Sequence, residues 1–203
     1  MAGVLVPGER LPRWLENFGA RHGAFTLAVS EGRLLGSAED GSSFSAALPW
    51  SREYDGPADV APFVAAAEPP RDWGVLLVRK GGFAVARLAG SEVVASKVGQ
   101  RHVQGRTKAG GQSQQRFARR RENQARVAYE AAAMHAAALI PDVGALVVGG
   151  DSAAVAATLT DPRLRPLAAR VVGDFLDVPD PRRSVLEEAV LDAGALRITV
   201  LNT

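Results

Sequence analysis

The chain has 203 residues, 47% of them hydrophobic and 23% charged, which suits a folded protein with a packed core and not a disordered chain. It has no cysteine, which excludes disulfides, thiolate metal sites and cysteine nucleophiles, and its three histidines lie too far apart in sequence for a metal-ligand motif. No apolar run reaches the length of a membrane span and no signal peptide is visible, so the sequence predicts a cytoplasmic protein without a membrane partner.

The first part of the chain predicts a small N-terminal extension over residues 1–70. Apolar residues recur with helical spacing from Leu11 to Phe18, and two strands, Phe25–Ser30 and residues 33–37, flank a Glu-Gly turn. Residues 57–70 are rich in Ala, Pro and acidic side chains and are interpreted in part as a linker. We therefore place a domain boundary near Arg71 and assign no role to the extension.

Residues 71–203 predict an α/β (α+β) domain, a mixed β-sheet with helices on its faces. A three-stranded meander comes first, then a basic loop at 104–112, one long helix, and alternating strands and helices. The predicted strands are Trp73–Arg79, 83–88, 93–103, 145–148, 171–176 and Leu196–Leu201, and the predicted helices are 113–139, Ser152–Leu159 and 181–192.

Charge is concentrated around the basic loop and the long helix. Between Lys97 and Arg126, nine basic residues stand against one acidic residue, Glu122, which gives +8 and leaves −6 for the rest of a chain whose net charge is +2. Such a like-charge cluster indicates a surface that binds a polyanion. On the helix, Arg116, Arg119, Arg120 and Arg126 share one face, whereas Arg121 falls nearer the face with Phe117 that suits packing on a sheet.

Gly110-Gly111-Gln112 lies inside this basic segment, where the long helix begins. Two glycines allow backbone angles closed to other residues and a close approach of the main chain to a ligand. On its own the tripeptide is more often an ordinary loop, and a run of arginines is usually a solvated helix face.

The longer pattern Gly-Gly-Gln-Ser-x-x-Arg-Phe-Ala-Arg-x-Arg, residues 110–121, resembles the catalytic loop and helix of the eukaryotic and archaeal class I peptide release factor. The element order from Trp73 onward resembles that factor's middle domain. The chain lacks an Asn-Ile-Lys-Ser stop-codon motif, and we expect no domain that recruits a partner GTPase. It is therefore most similar to the Vms-like release-factor-related (VLRF) peptidyl-tRNA hydrolases of ribosome rescue and quality control.

The resemblance implies an enzyme that hydrolyses the peptidyl-tRNA ester on the large ribosomal subunit without metal or cofactor. By this resemblance Gln112 positions water at the ester, with Gly110 and Gly111 allowing the required backbone. The implied contacts to tRNA and ribosomal RNA are Arg106, Lys108, Arg116, Arg119, Arg120 and Arg126. The implied structural supports of the loop are Ser113, Phe117 and Arg121.

Two other functions remain open from the residues. The same basic loop and helix would serve a non-catalytic module that binds ribosomal RNA or tRNA. An RNA nuclease would need clustered carboxylates and a metal, and the loop region is almost free of acids. Of the remaining polar residues, His102 is interpreted as an ordinary strand histidine, His135 as packed, and Asp151 as a helix cap.

Overall fold

A computed structural model describes the backbone of residues 3–100 and 112–203, and the side chains of 3–100 and 125–203. The described residues form nine strands and six helices, joined in places by short 3₁₀ turns. In chain order these are β1 (Val4–Val6), α1 (Leu11–His22), β2 (Phe25–Ser30), β3 (Arg33–Ala38), β4 (Ser43–Ala47), α2 (Val60–Ala66), β5 (Trp73–Arg79), β6 (Gly82–Ala89), β7 (Glu92–Gln100), α3 (Gln112–Leu139), β8 (Ala145–Gly150), α4 (Ser152–Leu159), α5 (Arg165–Ala168), α6 (Arg183–Ala193) and β9 (Leu196–Leu201).

The chain divides into two compact units. The N-terminal unit comprises Met1–Pro69 together with Leu191–Thr203, and the second unit comprises Pro70–Val190. The expected boundary near Arg71 lies close to the first division. The last residues, which we had expected to belong with 71–203, instead pack with the N-terminal unit.

The N-terminal unit is built on a five-stranded antiparallel sheet in the order β1-β9-β4-β3-β2. The amphipathic helix α1 buries Leu11, Leu15 and Phe18, and its Phe18 ring lies edge-on to Phe44 of β4 at a centroid distance of 5.1 Å. Part of the expected linker forms the helix α2. Asp59 caps this helix by accepting a hydrogen bond from the amide of Ala61.

The second unit is built on a four-stranded mixed sheet in the order β7-β6-β5-β8, with β8 parallel to β5. One core joins this sheet to α3 and α4, and it includes Leu76, Val85, Leu146 and Val155. The predicted mixed sheet with packed helices is therefore confirmed for this unit.

Two strand predictions need correction. The segment β9 is a strand as expected, but it pairs with β4 and β1 of the N-terminal sheet and not with the mixed sheet. Residues 171–176 form no strand and contact β8 through two isolated bridges, at Val171 and Leu176. Gly173 interrupts them with a φ of 73°, a left-handed conformation that an extended strand does not contain. The expected extension of β7 to residue 103 lies outside the described residues.

Candidate functional site

The Gly-rich basic segment lies between the end of β7 at Gln100 and the start of α3 at Gln112. Arg106, Lys108, Gly110, Gly111 and His102 fall outside the described residues. Gln112 is the first residue of α3, and the backbone of the helix runs on from it for 28 residues. Two arms flank this segment, the end of β7 before it and α3 after it.

The first arm, the end of β7, is held by the segment at 178–181. Gln100 pairs with Gly82 across the sheet, and its side-chain amide donates to the carbonyl of Pro181 at 3.5 Å. From β5, Arg79 donates to the carbonyl of Val178 at 2.5 Å, and its Nε lies 3.7 Å from a carboxylate oxygen of Asp180. These polar contacts join β5 and the end of β7 to the segment at 178–181.

The second arm, α3, is held by a face of small side chains. Ala128, Ala132, Ala133 and Ala136 are buried, and the helix packs mainly on β6. Alanine lets the helix backbone approach the sheet closely while preserving high helix propensity. The ring of His135 stacks on Phe83 of β6 with centroids 5.3 Å apart, so His135 is packed, as expected.

The start of α3 has backbone N–H groups without acceptors inside the helix. The first four N–H groups of a helix, which here begin at Gln112, have no acceptor within the helix, and the helix dipole makes this end electropositive. By helical register, positions 116, 119 and 120 lie on the side of α3 opposite to the buried Ala132 and Ala136.

Arg126 is the predicted RNA-binding residue whose side chain is described. It is 65% exposed and forms an i,i+4 ion pair with Glu130, whose Oε1 lies 2.5 Å from Nη1. Exposed pairs of this kind contribute only about 0.3–0.5 kcal/mol, so a phosphate can compete for the guanidinium. The side chains of Ser113, Arg116, Phe117, Arg119, Arg120 and Arg121 lie outside the described residues, and their assigned roles stay predictions.

Two polar groups near α3 have structural roles. Asp151 caps α4, since one carboxylate oxygen accepts hydrogen bonds from the amides of Ala153 and Ala154 at 3.0 and 3.3 Å. Burial raises the pKa of Tyr129, and the charge of Asp151 adds to the effect, so the phenol stays neutral at physiological pH. Neither group faces a described cluster of catalytic side chains. Among the described residues, no three His, Asp or Glu side chains are grouped as metal ligands.

The sequence did not indicate that Arg79, Phe83 and Gln100 support the site. Their role depends on partners far away in the chain, such as Val178 and Pro181, and periodicity does not predict such contacts. A weak signal was present in the glycines that flank them. A Cβ on Gly82 would overlap the carbonyl of Gly99, which shows how closely β6 and β7 approach there.

A mixed sheet with a packed long helix, and a Gly-Gly-Gln segment where that helix begins, define a release-factor-like protein. The family model described as "Actinobacteria/chloroflexi VLRF1 release factor" (acVLRF1) matches residues 71–199, which is more than half of the chain. The chain therefore belongs to this VLRF1 release factor family. The match covers most of the second unit and continues into β9.

Solved structures show weaker similarity. The archaeal translation termination factor aRF1 is 16% identical, with a TM-score of 0.38 over 79% of this chain and 47% of its own. A structure titled "Archaeal protein" is also 16% identical, with a TM-score of 0.31 over 77% and 50%. Pelota of Archaeoglobus fulgidus is 12% identical, with a TM-score of 0.28 over 82% and 54%.

The chain spans about half the length of each of these structures. No curated protein sequence matches the chain significantly. Among the described residues, none of the helices combines the length and apolar character that a bilayer crossing requires.

Proposed function

We propose that this protein is a peptidyl-tRNA hydrolase that releases nascent peptides from stalled large ribosomal subunits in ribosome rescue and quality control. The observation that carries the proposal is the intact Gly110-Gly111-Gln112, which ends at the first residue of α3 within the family match. The Pro70–Val190 unit would carry the catalysis.

Gln112 would act through its placement at the helix start. Its side chain would orient a water molecule toward the ester carbonyl that joins the peptide to the terminal adenosine of the tRNA. Its backbone N–H, which has no acceptor within α3, would donate to the oxyanion as water adds. Donors in well-studied oxyanion holes contribute about 2.7–4 kcal/mol each. The acyl–oxygen bond then breaks, and the tRNA hydroxyl takes the proton.

Gly110 and Gly111 would let the main chain enter a crowded centre. A side chain at either position would displace Gln112 or contact the substrate. Ser113, Phe117 and Arg121 would hold the start of the helix and the loop. None of these roles requires a metal or a cofactor.

The basic residues would bind the RNA partners. Arg106, Lys108, Arg116, Arg119, Arg120 and Arg126 would contact phosphates of tRNA and ribosomal RNA, and the protein would act on ribosomes in the cytoplasm. Each phosphate neutralised releases counterions, so binding should weaken steeply as salt rises. Release would proceed without a stop codon and without a partner GTPase.

Two glutamines on α3 supply a matched test. Peptide release would be measured on split large subunits, whole ribosomes and free peptidyl-tRNA, with Gln112→Ala compared with Gln115→Ala. We expect Gln112→Ala to abolish release while large-subunit binding persists, and Gln115→Ala to behave as wild type. Release by Gln112→Ala at the wild-type rate would refute the catalytic assignment. Binding without release by the wild-type protein would instead identify a non-catalytic RNA-binding module.

A further inference from the structure

An apolar groove opens in the N-terminal unit between α1, α2 and β2. Its volume is about 800 Å³, within the range of ligand pockets in general. Leu15 of α1 is buried in it, whereas Phe25 and Leu27 of β2 and Val64 of α2 are half-buried. The groove therefore has an apolar surface that the fold leaves accessible.

The charged residues that line this groove are all acidic. Glu9, Glu16 and Asp59 are exposed at its rim, and none of the described residues that line it is basic. Asp59 also caps α2, while Glu9 and Glu16 form no ion pair within the described part of the chain. The N-terminal unit as a whole has six arginines against ten acidic residues, a net charge of −4. An apolar ligand with positive charge matches this groove, and a nucleic acid or an anionic bilayer does not.

The strand β2 forms one edge of the N-terminal sheet and also lines the groove. The amide of Glu39 donates to the carbonyl of Ala24, so these opposed residues form a hydrogen-bonded pair. Because such pairs alternate in antiparallel sheets, Thr26, Ala28 and Ser30 bond to β3 in the same way. The backbone groups of Phe25, Leu27 and Val29 then point away from the sheet.

These outward groups are unpaired in the part of the chain that the structure describes. No described backbone or side-chain hydrogen bond reaches the N–H or C=O of Phe25, Leu27 or Val29. Proteins protect such edges with proline, charged side chains or bulges, and β2, Phe-Thr-Leu-Ala-Val-Ser, has no proline or charged residue and pairs with β3 in unbroken register.

We propose that the N-terminal unit binds an extended, cationic peptide segment of another protein as an additional strand on β2. Backbone bonds to Phe25, Leu27 and Val29 would hold it, and alternate apolar side chains would enter the groove, as in other cases of strand addition. Its Lys or Arg side chains would pair with Glu9, Glu16 and Asp59. This proposal does not depend on the proposed hydrolase activity.

Amide hydrogen exchange tests this geometry with two synthetic peptides, Arg-Thr-Val-Thr-Val-Thr-Arg and Glu-Thr-Val-Thr-Val-Thr-Glu, in which the valines and the charged residues share the strand face that meets the groove. In the free protein, Phe25, Leu27 and Val29 should exchange fast while Thr26 and Ala28 are protected. The arginine peptide should protect the three fast amides and bind at least about tenfold more tightly than the glutamate peptide, about 1.4 kcal/mol. Equal binding of the two peptides, or binding without protection of these amides, would overturn the proposal.

Substitutions on the two faces of β2 provide a matched pair. Leu27→Arg places a cation in the groove and should weaken binding of the arginine peptide about tenfold, whereas Thr26→Arg on the exposed opposite face should leave its affinity unchanged.

The charge of the groove is tested separately. The double variant Glu9→Lys/Glu16→Lys should reverse the binding preference toward the glutamate peptide. An unchanged preference in the double variant would refute the charge argument.

The alternative occupant, a second copy of the chain, gives a different result. A dimer through β2 would protect Leu27 and Val29 without peptide in a concentration-dependent manner, and light scattering would give twice the monomer mass. That result would overturn the proposal. None of these measurements involves peptide release, so they fail or succeed independently of the hydrolase assay.

Discussion

The ring of Phe83 on β6 covers Gly99 on β7, and a Cβ built on Gly99 would overlap the ring edge. The same ring stacks on His135 of α3, so Phe83 contacts both arms that carry the basic segment. Gly99 thus lets an aromatic side chain join the strand before the Gly-Gly-Gln segment to the helix after it.

Gly99→Ala should therefore lower the free energy of unfolding by about 1–3 kcal/mol, because the new methyl group forces the ring out of its position. Urea denaturation would measure the loss. Gly194→Ala is the control, since its added Cβ would meet its nearest atom, Cζ2 of Trp50, at 3.7 Å and should have little effect. If the overlap between the new Cβ and the Phe83 ring causes this loss of stability, adding Phe83→Leu to Gly99→Ala should recover part of it. If the stability losses of the two single variants simply add in the double variant, the overlap is not the cause.

The packing of the alanine face of α3 can be tested with a second pair of variants. Ala136 is fully buried, so Ala136→Leu overpacks the core and should cost about 1–3 kcal/mol of stability. Ala138 is exposed on the same helix, and Ala138→Leu should change stability by no more than about 0.5 kcal/mol. Thermal or urea unfolding distinguishes the two, and similar costs would contradict the packing described for α3.

The ion pair between Arg126 and Glu130 makes a prediction about RNA binding. Glu130→Gln frees the guanidinium, so affinity for large ribosomal subunits should rise and its salt dependence should steepen. Arg183 and Glu187 form an equivalent exposed i,i+4 pair on α6, which makes Glu187→Gln a matched control without effect. Co-sedimentation over a salt series would measure both, and equal responses would show that Arg126 does not contact the RNA.

The ion pair between Asp161 and Arg163 should make the stability of the fold depend on pH in the acidic range. Side-chain hydrogen bonds from Arg163 to both carboxylate oxygens lower the pKa of Asp161 from 3.8 to about 2, helped by the backbone amide of Arg163. Since folding favours the ionised form, the pair stabilises the fold above about pH 4, and this contribution disappears as pH falls toward 2. Arg163→Ala should raise the pKa toward 3.8 in an NMR titration, and Arg165→Ala should not.

Local patterns predicted most of the helices and strands. Trp73–Arg79, Ser152–Leu159 and Leu196–Leu201 have the bounds expected from periodicity and turn residues. Pairing was harder to predict, because the alternation in β9 indicates a strand without indicating which sheet it joins. The strand β4, Ser43–Ala47, was missed because serine and alanine give it weak β-propensity, and β3 and β9 hold it in place.

The candidate site was predicted only where a local motif existed. Gly110-Gly111-Gln112 and the arginines stand out in the sequence because they are contiguous or helically spaced. The supports of the site, such as the bonds from Arg79 to Val178 and from Gln100 to Pro181, join residues that only the fold brings together. The apolar groove beside β2 also depends on the packing of α1 and α2, which sequence spacing does not determine.

The position of β9 between β1 and β4 has a consequence for biosynthesis. All of Pro70–Val190 is translated after β4 and before β9, so the N-terminal sheet cannot close cotranslationally until the second unit has left the exit tunnel. In that interval β1 has no partner and β4 presents an open edge, which exposes the nascent chain to misassembly. The continuous second unit is therefore expected to fold first, and slow codons or chaperone occupancy late in translation would act on the N-terminal unit.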